Sequence, residues 1–99
     1  MTALTQSTAT VKTEQASRYL QQLCKHWSHK MPTEFDTRQG RIDFPSGAQV
    51  FMQAGTNDLT VRIDTPDDEG LPRLQTVVED HIKRFAFREE LEFAWSGQA

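Results

Sequence analysis

The stretch that decides the fold is Arg41-Ile42-Asp43-Phe44-Pro45-Ser46-Gly47-Ala48-Gln49-Val50-Phe51-Met52-Gln53-Ala54-Gly55-Thr56-Asn57-Asp58-Leu59-Thr60-Val61-Arg62-Ile63-Asp64. In it, apolar residues alternate with polar ones. Ile42 and Phe44 alternate with Arg41 and Asp43; Val50 and Met52 oppose Gln49, Phe51 and Gln53; Leu59, Val61 and Ile63 oppose Thr60, Arg62 and Asp64. A period of two places successive side chains on opposite faces, so each run predicts a half-buried strand. Pro45-Ser46-Gly47 and Gly55-Thr56-Asn57-Asp58 are turn chemistry. Turns this short can only join antiparallel neighbours.

Working outward, Thr33 to Asp36 reads as a further short strand with Phe35 inward, and residues 37–40 as a turn. Thr8 to Thr13 alternates Ala9 and Val11 with polar residues and reads as a strand, with residues 1–7 as a flexible tail. Residues 14–30 carry Ala16, Leu20, Leu23 and Trp27 on one face, flanked by Tyr19 and Cys24. That spacing predicts an amphipathic helix, capped by Thr13 and stopped by Pro32.

Thr65-Pro66-Asp67-Asp68 reads as a helix start, disturbed by Gly70 and Pro72, so a kink or a short preliminary turn should precede the main helix. From Leu71, residues Leu74, Val78, Ile82 and Phe85 share a face, with Val77 and His81 at its edge. Leu91, Phe93 and Trp95 alternate with Glu92 and Ala94 and predict a last strand. The expected order is β-α-β-β-β-β-α-β. Each strand offers one apolar face and each helix one apolar stripe. The economical solution is a two-layer α+β sandwich, an antiparallel sheet of five or six strands with both helices on one face, in a single domain over residues 8–96. Arg41, Asp43, Thr60, Arg62 and Asp64 would lie on the other face, where opposite charges on adjacent strands can pair. Phe51 would be exposed there, marking a partner or dimer surface.

The 99 residues suffice for one core and not two. A net charge of −3 argues against nucleic-acid binding, because neutralising phosphates needs a basic surface. The first residues carry no secretory signal, and no apolar run approaches the roughly 20 residues of a membrane span. Cys24, the lone cysteine, excludes an internal disulfide and suits a reducing, cytoplasmic setting.

Residues 17–30 (SRYLQQLCKHWSHK) and 80–91 (DHIKRFAFREEL), with GRIDFP at 40–45 between them, resemble the bacterial family catalogued as domain of unknown function 2218. The resemblance covers the chain from about Ala9 to Trp95. Gly70 and Pro72 depart from the smoother helix start expected of a relative. It implies no activity and no catalytic residues. It does imply a role near iron or siderophore handling, because similar domains are sometimes fused to siderophore-interacting flavin reductases.

The candidate site residues are His26, His29, Lys30, His81, Arg84 and Arg88. Thiolate and imidazole are metal donors, but Cys24 sits about 140° from His29 and about 160° from His26 around a helix, so one ion cannot take all three. His26 and His29 are neighbours at i, i+3 and are the metal candidates, needing a donor from another element such as His81. Against this stands a packing reading: His26 at the edge of the buried face, His29 in solvent, Cys24 in the core. His81 is either a ligand or proton-transfer group, or a half-buried histidine bonded to the first helix or the sheet. Arg84, Arg88, Lys83 and Lys30 would either take an anion or pair with Glu89, Glu90 and Glu92. Tyr19, Trp27, Phe85, Phe87, Phe93 and Trp95 would form the core or line a pocket for a flat ligand. Asp67-Asp68-Glu69 and Glu89-Glu90 read as caps and solvated charges.

No nucleophile elbow, phosphate loop or zinc-protease motif is present, and no cofactor is expected. Three readings follow. The first is a small binding or accessory domain, with a siderophore-pathway reductase as partner. The second is a homodimeric interaction module using the open sheet face or an edge strand. The last is a small enzyme with His81 or His26 as base.

Overall fold

The computed structural model describes residues 5–95. The alternating stretch forms the expected meander: β3 (Gln39–Asp43), β4 (Gln49–Ala54) and β5 (Asp58–Thr65). Before them come β1 (Thr5–Lys12), α1 (Ala16–Ser28) and β2 (Thr33–Phe35); after them comes α2 (Leu71–Phe85). The five-stranded sheet is antiparallel throughout, in the order β1-β5-β4-β3-β2. The register pairs inward residues with inward ones, Met52 with Val61 and Val50 with both Ile42 and Ile63. These side chains are buried with Leu20, Leu23 and Trp27 of α1 and Leu71, Val78 and Ile82 of α2 in one core. Both helices therefore lie on one face, and the sheet's other face stays open.

Two glycines make this packing possible. Gly47 adopts φ +94°, the left-handed region that L side chains avoid, and closes the β3–β4 turn. Gly40 in β3 faces α1 so closely that an added Cβ would lie 2.7 Å from Cys24 Sγ.

The structure corrects several expectations at the ends of elements. The proposed tail, residues 1–7, is shortened, because Thr5 to Ser7 belong to β1 and pair with β5; residues 1–4 lie outside the described residues. α1 begins at Ala16, not at 14. Gln15 is its N-cap and makes no side-chain cap bond. Thr13 does not cap the helix; its hydroxyl accepts the Gln15 N–H one turn earlier and donates to Glu89. Thr65 is the last residue of β5, and its hydroxyl accepts the Asp67 N–H. Residues 66–70 are irregular and α2 starts at Leu71.

The last strand is absent. Residues 91–95 run without a ladder, so the sheet has five strands and the order ends at α2. Leu91 is buried, Phe93 stacks on Trp95 at 6.0 Å, and Trp95 Nε1 donates to Glu79 Oε1 at 3.0 Å. The alternation was real, but helix α2 receives it. Among the described residues, no helix is long and apolar enough to cross a membrane.

Candidate functional site

The residues proposed from sequence sit around the helix layer. α1 and α2 pack against each other and bring His26 and His81 together, with ring centroids 5.3 Å apart and planes tilted by 47°. His81 is half-buried, 4.9 Å from Trp27. Its Nδ1 lies 2.7 Å from Val77 O, one turn back on its own helix. A carbonyl can only accept, so Nδ1 carries a proton, and Nε2 is the atom with a lone pair whenever the ring is neutral. The bond therefore goes to α2 itself, not to α1 or the sheet. His26 is exposed, with Phe85 edge-on at 6.3 Å.

His29 and Lys30 lie exposed beyond the end of α1, without ring contact or ion pair among the described residues. Arg84 and Arg88 are exposed too, and neither pairs with Glu89, Glu90 or Glu92. Lys83 pairs within its own helix, with Glu79 at 2.9 Å, and Arg88 lies over Phe87. Phe87 is 77% exposed and belongs to no core. No group of three or more His, Cys, Asp and Glu is placed to hold a metal among the described residues.

Cys24 is buried and burial pushes its thiol up to about 12, so it carries no thiolate near neutrality. Glu89 is not merely a solvated charge. It accepts from Thr13 Oγ1 at 3.0 Å and from the Tyr19 hydroxyl, tying the chain beyond α2 to α1. Burial, and then the Glu89 carboxylate, push the Tyr19 phenol up to about 12.

A broader concavity lies elsewhere. A shallow groove of about 740 Å³ runs across the open sheet face and includes Thr8, Arg62, Phe51, Arg41 and Glu34. These five form one cross-strand row, because Thr8 pairs with Arg62, Arg62 with Phe51, Phe51 with Arg41, and Arg41 with Glu34. Phe51 is half-buried rather than exposed, because the Arg62 guanidinium lies 4.4 Å from its ring centroid. Asp64 holds that guanidinium through Nε at 3.0 Å and Nη2 at 3.3 Å. Arg41 reaches Glu34 on the neighbouring strand at 3.5 Å and Asp43 on its own at 3.3 Å. Only the first follows the expected cross-strand pattern; Arg62–Asp64 and Arg41–Asp43 run along a strand. The two arginines flank Phe51 from adjacent strands, about 10 Å apart. Both are a little over two-fifths exposed in their side chains. The outward set was legible in the alternation; the row was not, because register depends on which strands become neighbours.

The comparisons with known proteins agree with this architecture. None of the curated proteins matches the chain. The NMR structure of PA4090 from Pseudomonas aeruginosa is similar, with 38% sequence identity, a TM-score of 0.80, and coverage of 96% of this chain and 99% of that one. A family model described as an uncharacterised protein conserved in bacteria matches residues 8–96. With nearly the whole fold inside that match, the chain belongs to this bacterial family of unknown function, DUF2218.

Proposed function

We propose that the chain is a binding or accessory domain rather than a catalyst, and that it takes a flat anionic ligand on the open sheet face. The Arg62–Phe51–Arg41 row carries this reading. The Arg62 guanidinium lies over the Phe51 ring, so its outer face is the stacking surface, and the Nη1 edge that Asp64 does not engage supplies donors for a carboxylate or catecholate. Asp64 engages Nε and Nη2 of Arg62, so the guanidinium is already oriented and little side-chain freedom is lost on binding. Aryl acids and catecholates are also the building blocks of many siderophores. Together with the iron or siderophore association that the family resemblance implies, this favours a role beside iron–siderophore reduction, with a reductase as partner. The buried free thiol of Cys24 suits a cytoplasmic setting. Self-association across the same face is less favoured. A two-fold axis through Phe51 would set Arg62 of one copy against Arg41 of the other.

The test is titration of 15N-labelled protein with 2,3-dihydroxybenzoate, with benzyl alcohol as the neutral control. Amide shifts are expected at Phe51, Thr60 and Arg62, with affinity weakened roughly tenfold by Phe51→Ala or Arg62→Gln. Shifts confined to Lys30, Arg84 and Arg88 would return the site to the helix ends. Face shifts that grow with protein concentration alone would favour the homodimer.

A further inference from the structure

We propose that His26 and His81 form a two-histidine site for a late first-row divalent ion such as Zn²⁺, Ni²⁺ or Cu²⁺, bridging α1 and α2 on the side of the sheet opposite the groove. Three observations carry it. The first is separation. With metal–nitrogen bonds of about 2.1 Å, two imidazoles on one tetrahedral ion place their ring centroids about 5 Å apart. His26 and His81 stand at 5.3 Å, the separation such an ion requires. The second is the tautomer. A ligating histidine typically donates its other ring N–H to a carbonyl or carboxylate, which fixes the ring and sharpens the free nitrogen as a donor. His81 makes that bond, Nδ1 to Val77 O at 2.7 Å, and leaves Nε2 as the ligand atom. The third is confinement with access. Trp27 and Phe85 pack beside the two rings, at 4.9 Å from His81 and 6.3 Å from His26, while His26 remains exposed for an ion to enter.

Two nitrogens leave the remaining coordination positions to water or a small ligand. Imidazole donors favour the late divalent ions, in the order that peaks at Cu²⁺. Because the donors come from different helices, the ion would cross-link the helix layer and stabilise the fold by mass action.

The experiment uses chelator-treated protein titrated with ZnCl₂ or NiCl₂ and followed by thermal melting. The melting temperature of the native chain should rise with metal concentration. His26→Gln and His81→Gln should each weaken the response roughly tenfold or more, and His29→Gln should leave it unchanged. His26 is exposed, so its variant keeps the fold even if His81→Gln does not. Trace Cu²⁺ should broaden the ring-proton resonances of His26 and His81 ahead of that of His29. No response in the native chain, a response that survives His26→Gln, or one abolished by His29→Gln would each overturn the site.

Discussion

Gly40 shows how much a single residue can hold. It reads in the sequence as part of a polar turn, yet it is a buried position in β3 pressed against α1. A methyl group there would lie 2.7 Å from Cys24 Sγ, 3.2 Å from Phe35 Cβ and 3.3 Å from Leu20 Cδ2. Gly40→Ala should therefore destabilise the fold by about 1–3 kcal/mol, the usual cost of overpacking. Cys24→Ala removes the nearest atom, so combining the two should cost less than the sum of the single changes. Urea unfolding midpoints of the four chains check this. Strict additivity would mean that the close approach is not the cause. Nothing local marks Gly40, because its constraint comes from a helix sixteen residues earlier in the chain.

At the scale of elements, α1 is tied to the chain beyond α2 through Tyr19 and Glu89. That tie makes the junction sensitive to alkali. The Tyr19 phenol is raised from 10.0 to about 12 by burial and by Glu89, and the Cys24 thiol from 9.0 to about 12 by burial. Both groups hold their protons more tightly in the folded state. Their contribution is fully present below the unfolded-state values and is lost as pH rises through the folded ones. Unfolding free energy should thus decline from about pH 9 and more steeply above pH 10, towards pH 12. Cys24→Ala should flatten the lower part of that decline and Tyr19→Phe the upper. Denaturation midpoints measured between pH 7 and 11 decide it; equal slopes in all three chains would sink the assignment. The Glu89 link was not legible. Glu89-Glu90 looks like any solvated acidic pair, and only the return of the chain past α1 brings the phenol to it. Phe93 and Trp95 teach the same lesson. Their alternation promised burial on one side, and both a helix and a sheet edge can supply that.

At the scale of the whole molecule, the sheet has two faces with different tasks. Ile63 is fully buried beneath the helices, while Phe51 and Arg62 on the opposite face are half-buried and exposed. Ile63→Ala should cost about 2–5 kcal/mol, because it opens a cavity in the core. Phe51→Ala should change stability by under about 1 kcal/mol. Arg62→Gln should cost more, about 1–3 kcal/mol, because it leaves the buried Asp64 carboxylate without its partner. Chemical denaturation of these three variants measures the contrast. A large loss at Phe51 would make the open face structural rather than a surface free to bind, and no loss at Arg62 would mean that Asp64 does not depend on it. The same division separates the two candidate sites, the arginine–phenylalanine row on the open face and the histidine pair in the helix layer.

What the sequence by itself determined was periodicity: which residues of the central strands and the two helices face inward, the antiparallel meander from 41 to 64, and the two-layer architecture. Those features follow from local chemistry, because a side chain's face depends only on its place along its own element. Tertiary structure alone decided which elements become neighbours. It brought His81 to His26 but left His29 apart, lined Arg62, Phe51 and Arg41 into one row, pressed Gly40 against Cys24, and laid residues 91–95 on α2 instead of a sheet edge. Each of these joins residues distant in the chain. Their contact is set by how the apolar faces of separate elements fill one shared core, and that no single stretch records.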